Sequence, residues 1–218
     1  MSAFADTAAS IAKKLFTADY PYCIYCGAEY GADVKTLSCA ACEGKITGRN
    51  LQGEVSGFCC ASAFSFEGPV QGLVHRFKYS GAKYLGEKMA NLMYRTYADC
   101  GIKADAVTNV PIHRLKKRRR GYDQSEVLAK ALSKLSGLPY LPALKRLKDT
   151  PTQTHLDREQ RIENVKNAFE AVADIAGKHI LLIDDVLTTG STAAECAMTL
   201  IKGGAAGVHI LTFAKAAD

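Results

Sequence analysis

The sequence predicts an α/β fold: a mostly parallel sheet with helices on both faces, preceded by a small cysteine module. Three observations carry this reading. From residue 59 to residue 213, apolar runs of strand length alternate with segments of helical periodicity, the pattern of a sheet covered on both sides. The run Ile180-Leu181-Leu182-Ile183 is apolar at every position, as a parallel strand buried between two helix layers must be. Ahead of all this stand two Cys-x-x-Cys pairs, Cys23/Cys26 and Cys39/Cys42.

Composition sets the outer bounds. At 218 residues, with 48% hydrophobic and 23% charged residues, the chain has ordinary globular composition, neither fibrous nor disordered. No apolar run reaches the ~18 residues of a membrane span. The N-terminus lacks the basic segment, apolar run and cleavage site of a secretory signal, so a cytoplasmic setting is expected. In such a reducing setting, clustered cysteines bind metal more often than they form disulfides. The net charge is +6, and six cations fall within Arg114, Lys116, Lys117, Arg118, Arg119 and Arg120. The other 22 basic residues balance the 22 acidic ones, so the excess is local and points to a local anionic ligand.

Taken in order, Ile11, Ala12, Leu15 and Phe16 have helical spacing. The cysteine module follows, then a stretch containing Gly48, Gly53 and Gly57 that reads as a linker. The expected division is a zinc-ribbon module over residues 1–54 and a larger domain over 55–218, each with its own core. A strand is expected near residues 59–66 and a helix from Gly68-Pro69 to Tyr79. A second helix should run from about Tyr84 to Tyr97, and a buried strand from Ala106 to Ile112. Val127, Leu128, Ala131, Leu132 and Leu135 put one apolar face on a further helix. Short strands are expected near 143–147 and 167–172, and the clearest one from Lys178 to Asp184. Ala194, Ala197, Met198 and Ile201 mark a helix ended by Gly203-Gly204, before a last strand over Val208 to Phe213.

Each cysteine pair forms a knuckle that aims two thiolates at one point, and twelve residues separate the two knuckles. Together Cys23, Cys26, Cys39 and Cys42 complete the closed tetrahedral site of structural zinc, with no open position for catalysis. Gly27 and Gly44 lie just beyond the knuckles, where a tight turn calls for positive φ. Cys59, Cys60, Cys100 and Cys196 lack ligand spacing and read as small hydrophobes.

The strongest site signal is Asp184-Asp185 followed by Val186, Leu187, Thr188, Thr189, Gly190, Ser191 and Thr192. Adjacent carboxylates at the end of an apolar strand need neutralising or hydrogen-bonding partners. Ligands of open parallel sheets bind beyond the carboxyl ends of the strands. There the amides, the hydroxyls of Thr188, Thr189, Ser191 and Thr192, and a helix N-terminus converge on a volume suited to phosphate. Gly190 would let backbone approach the ligand, and the two acids could hold sugar hydroxyls or magnesium. The bland alternative, an N-cap beside a surface strand end, suits a lone aspartate better than this whole arrangement.

This stretch resembles the phosphoribosyl-pyrophosphate (PRPP) motif of type I phosphoribosyltransferases. With the cysteine knuckles, FKYSG at 77–81, VPIHRLKKRRRGYDQSE at 110–126 and TQTHLDREQRIENVKNAF at 152–169, the chain resembles the ComF family, which is linked to competence and DNA uptake. The resemblance implies a type I phosphoribosyltransferase-like fold with an N-terminal zinc ribbon, and PRPP or another phosphoribosyl ligand carried with Mg2+. Asp184 and Asp185 would be the catalytic acids, holding the ribose hydroxyls, and residues 188–192 would hold the 5′-phosphate. The loop after Pro111, with Lys116, Lys117 and Arg118, would meet pyrophosphate. Residues 149–161 would be the mobile hood, contributing Gln153, Arg158 and Arg161. The basic stretch would also suit a nucleic-acid backbone. Two functions therefore stand: transfer of phosphoribose to a nitrogen acceptor, or a non-catalytic adaptor binding single-stranded DNA or a competence partner. No strand shows an aromatic clamp for a base, so the acceptor stays open, as does the oligomeric state.

Overall fold

The computed structural model describes residues 22–29, 37–148 and 163–217. The helical spacing near the N-terminus and the hood at 149–161, with Gln153, Arg158 and Arg161, lie outside the described residues. Within them the elements are α1 (Ala40–Glu43), β1 (Arg49–Val55), β2 (Phe58–Ser65), α2 (Gly68–Tyr79), α3 (Leu85–Asp99), β3 (Ala106–Asn109), α4 (Arg114–Arg120), α5 (Gln124–Ser136), β4 (Leu144–Arg146), β5 (Phe169–Ala171), β6 (His179–Leu187), α6 (Ser191–Lys202) and β7 (Gly207–Lys215).

The main sheet has strand order β1-β2-β7-β6-β3. The β2–β7, β7–β6 and β6–β3 pairs are parallel, and β1–β2 is antiparallel. This is the mostly parallel, helix-flanked sheet expected from the alternating pattern. Strand alternation explains the apolar run in β6: Leu181 and Ile183 face the core under α2, α3 and α5, whereas Ile180 and Leu182 face the core under α6. Both faces being covered, every position must be apolar.

Helices α2 and α5 earn their stripes at the expected spacing, with Val70, Leu73, Val74 and Phe77 buried in the first and Leu128, Leu132 and Leu135 in the second. In α6 the buried stripe runs through Ala193, Ala197 and Leu200, leaving Met198 and Ile201 on the exposed side. The small residues are chosen by close helix–sheet approach, which a hydrophobicity count overlooks. Strands β4 and β5 pair with each other in a separate two-stranded sheet.

Two expectations need correcting. The glycine-containing stretch read as a linker is a hairpin: Ser56 and Gly57 have φ of 50° and 85° between the paired Val55 and Phe58. Positive φ at both central residues is the two-residue turn that matches strand twist. Nor are the two cores separate, since Cys23, Ile24, Tyr25, Leu37 and Cys42 belong to the same buried cluster as Leu73, Val74 and Phe77. Arg76 of α2 also donates a hydrogen bond to the Ile24 carbonyl. Among the described residues, no helix is long and apolar enough to cross a membrane.

Candidate functional site

The carboxyl ends of β3 and β6 lie side by side, and the segments leaving them wall a cavity of about 310 Å³. Asp184, Asp185, Thr188, Thr189, Gly190, Ser191 and Thr192 all line it, together with Lys116. Pro111 and Lys117 line a neighbouring cleft behind α4. Arg118 is exposed on α4 and lines neither space. The basic run read as a loop is thus a seven-residue helix with no buried residue. Its ends hold it: His113 Nδ1 accepts from the Leu115 amide at 3.5 Å, and Gly121 closes the far end at φ 82°. Lacking an apolar face, it leaves no periodic signal in the sequence. The helical turn sorts the cations, because Lys116 and Arg120 face the cavity while Arg114, Arg118 and Arg119 are exposed.

The acid pair has the partners its burial demands. Lys78, near the end of α2, places Nζ 2.8 Å from Asp185 Oδ1. Asp184 Oδ1 accepts from Ser125 Oγ at 2.7 Å and from the Asp185 amide at 2.8 Å. Burial pushes the Asp184 carboxyl up to about 7, and the neighbouring Asp185 adds to this against the opposing pull of Ser125 and Lys78. Burial draws the Lys78 ammonium down, but Asp185 and Asp184 outweigh it and hold the group above its ordinary value. Sequence reading quoted the segments containing Lys78 and Ser125 without assigning either a role. A lysine one residue from a helix end carries no signal until the fold brings it to Asp185.

After β6 the chain turns through Gly190 at φ 74°, the N-cap of α6, which has no side chain to offer the helix. The hydroxyls of Thr189 and Ser191 pair at 2.7 Å. The first turn of α6, Ser191 to Ala193, lines the cavity, and a helix N-terminus of this kind is suited to receive an anion. Gly190 has a reason in the fold beside the expected approach to a ligand. A Cβ there would meet Val55 Cγ1 at 2.4 Å, so glycine lets the loop press on β1. Cations outnumber acids around the cavity, where Lys78, Lys116, Arg120 and Arg146 face two aspartates. An anionic group near the loop and a hydroxyl-bearing group near the acids fit this distribution.

At the cysteine module, the sulfur atoms of Cys23, Cys26, Cys39 and Cys42 all lie within 4.8 Å of one another. Cys26 and Cys39 Sγ are 3.8 Å apart, matching the edge of about 3.8 Å expected of a tetrahedron with Zn–S bonds of about 2.3 Å. The four could hold a metal such as zinc. The first knuckle closes with the Gly27 amide donating to the Cys23 carbonyl at 2.8 Å and φ 78° at Gly27. Gly44 departs from expectation: its φ is −67°, because the second knuckle runs into the short helix α1. Cys60 and Cys196 are buried and Cys59 is exposed, none of them in the cluster.

A model of the phosphoribosyl transferase domain family matches residues 84–218. Competence protein F of Haemophilus influenzae is 30% identical over 206 residues, covering 90% of this chain and 86% of that protein. The DNA utilization protein YhgH of Salmonella typhimurium is 32% identical over 155 residues, 68% of each chain. Competence protein ComFC of Bacillus subtilis is 27% identical over 158 residues, 69% of this chain and 62% of its own. Among solved structures, the glutamine PRPP amidotransferase of B. subtilis matches with a TM-score of 0.42 and 22% identity, over 63% of this chain and 30% of that one. With the domain model matching more than half of its length and competence protein F alike along nearly all of it, the chain belongs to the ComF family of phosphoribosyltransferase-like proteins.

Proposed function

We propose that the chain binds PRPP, or a closely related phosphoribosyl ligand, at the end of β6 and transfers phosphoribose to a nitrogen acceptor. One observation carries the reading: Asp185 paired with Lys78 and Asp184 held by Ser125 stand beside the N-terminus of α6 in one cation-rich cavity. The α6 amides and the hydroxyls of Thr188, Thr189, Ser191 and Thr192 would receive the 5′-phosphate. Asp184 and Asp185 would accept from the ribose hydroxyls and stabilise positive charge developing on the ring. Lys116 and Arg120 would meet pyrophosphate, with Pro111 and Lys117 behind them, and Arg158 and Arg161 would contribute from the hood. Magnesium bound with the pyrophosphate would offset the charge of the leaving group. Catalysis would rest on positioning and electrostatics rather than on proton transfer.

The test is calorimetry with PRPP. Asp185→Asn and Thr189→Val should each weaken binding, the second by roughly 1 to 3 kcal/mol for a lost charge-assisted hydrogen bond. Unchanged affinity in both would remove the proposal.

A second reading, an adaptor for single-stranded DNA or a competence partner, is favoured by the names of the relatives and by one observation. Arg114, Arg118 and Arg119 are exposed on α4, away from the phosphoribosyl cavity's lining. A pyrophosphate in that cavity leaves them without a role. Under this reading, log affinity for a single strand falls linearly with log salt at about −0.7 per phosphate neutralised. Replacing all three with Ala should flatten the slope by about 2 while leaving PRPP binding intact. A parent protein that binds no strand even at low salt would return the function to small-molecule chemistry.

A further inference from the structure

We infer that Ser125 is a positioning residue of this site, its hydroxyl setting the Asp184 carboxylate so that the cavity prefers a ribose phosphate to a phosphate whose ring lacks hydroxyls. This rests on the phosphoribosyl reading above and deepens it from ligand class to ligand discrimination. Ser125 is the second residue of α5, 3% exposed and buried along with Leu128, Ala129 and Leu132 of the same helix. A hydroxyl in such a place costs free energy unless it is bonded. Serine at a helix start commonly caps the helix, but here Asp123 has that role, accepting from the Glu126 and Ile112 amides at 3.1 Å each. The Ser125 hydroxyl instead donates out of its own helix, to Asp184 Oδ1 at 2.7 Å, and both residues line the cavity.

That bond decides which oxygen meets a ligand. Asp184 Oδ1 accepts from Ser125 and, at 2.8 Å, from the Asp185 amide. One donor belongs to α5 and the other to β6, so the carboxylate is held from two elements and cannot turn without breaking a bond. Oδ2 is left as the acceptor for a hydroxyl in the cavity. A carboxylate fixed in advance loses no binding free energy to ordering. Burial and then Asp185 push the Asp184 carboxyl up, and among the groups that oppose them Ser125 comes before Lys78, so the serine also keeps the group an acceptor. The two acids are therefore unequal. Lys78 neutralises Asp185, with Nζ at 2.8 Å from its Oδ1, whereas Ser125 aims Asp184.

Calorimetry with ribose 5-phosphate and with tetrahydrofurfuryl phosphate, which has the same ring and phosphate ester but no ring hydroxyl, tests the role. The parent should prefer ribose 5-phosphate. Ser125→Ala should bind ribose 5-phosphate on the order of tenfold more weakly, the loss expected for a hydrogen bond to a charged group, and tetrahydrofurfuryl phosphate as the parent does. Ser125→Thr, which keeps the hydroxyl, should keep the preference. If the alanine variant does not fold, Ser125→Cys, close in size but only a weak donor, should show the same selective loss. A serine that merely supports the fold predicts a lower melting temperature with the ratio of the two affinities unchanged. That result, or equal losses for both ligands, would overturn the inference and leave the phosphoribosyl site standing. A parent that binds ribose 5-phosphate with no preference over the hydroxyl-free ring would overturn it as well. No binding of ribose 5-phosphate or PRPP at all would overturn the phosphoribosyl reading and this inference together.

Discussion

A Cys39→Ser variant should purify without zinc and unfold at a lower temperature than the parent by on the order of 10 °C. Apparent zinc affinities of small four-ligand modules run to roughly 10 to 16 kcal/mol, and that binding energy is folding energy. Even a third of it exceeds about 3 kcal/mol, and a chain of this size shifts by about 2 to 4 °C per kcal/mol. The effect should reach the sheet because the module has no private core. Ile24 and Leu37 are buried together with Leu73, Val74 and Phe77, and Arg76 grips the Ile24 carbonyl. Two residues beyond Arg76 lies Lys78, so a module that lets go should also loosen the partner of Asp185. Metal analysis and thermal unfolding decide it. Full zinc occupancy in the variant would refute the ligand assignment, and zinc loss with an unchanged melting temperature would show that the shared cluster does not couple the two regions.

What the sequence disclosed follows from what leaves a linear trace. β6 was readable because burial on both faces forces four consecutive aliphatics, and the acids after it stand out against them. The cysteine knuckles were readable because tetrahedral geometry fixes their internal spacing. Helix α4 was not, since its seven residues bury nothing and its stability comes from caps at His113 and Gly121. The hairpin turn at Ser56-Gly57 was taken for a linker because glycines report permitted backbone angles without saying whether strands flank them. The pairing of Lys78 with Asp185 joins residues more than a hundred positions apart, and only the packing of α2 on the sheet creates it. The role of Gly190 illustrates the same limit: its positive φ follows from the turn, but its neighbour Val55 belongs to a strand that the sequence reading did not place.

Lys78→Met should destabilise the protein by about 3 kcal/mol at pH 8, the low end expected when one partner of a buried ion pair is removed. Asp185 retains 10% of its side-chain exposure and Lys78 22%, so solvent relieves part of the cost without abolishing it. The pH dependence identifies the cause. In the parent, burial and then Asp185 raise the Asp184 carboxyl to about 7, above its value in the unfolded chain. The folded state therefore binds the extra proton, and the stability this gives is fully present below about pH 4 and lost as pH rises through about 7. Removing the ammonium takes away the cation paired with Asp185. The Asp184 carboxyl, which Lys78 helps to pull down in the parent, then holds its proton to still higher pH, and the loss at pH 8 deepens. At pH 4 to 5, where Asp184 is protonated and one of the two adjacent charges is gone, the penalty of the variant should narrow. Adding Asp185→Asn to Lys78→Met should recover stability at pH 8, because one of the two adjacent negative charges is gone. A Lys78→Met penalty equal at pH 5 and pH 8, unrelieved by Asp185→Asn, would mean that the lysine stem is packing α2 and that the acids are neutralised by something other than its ammonium.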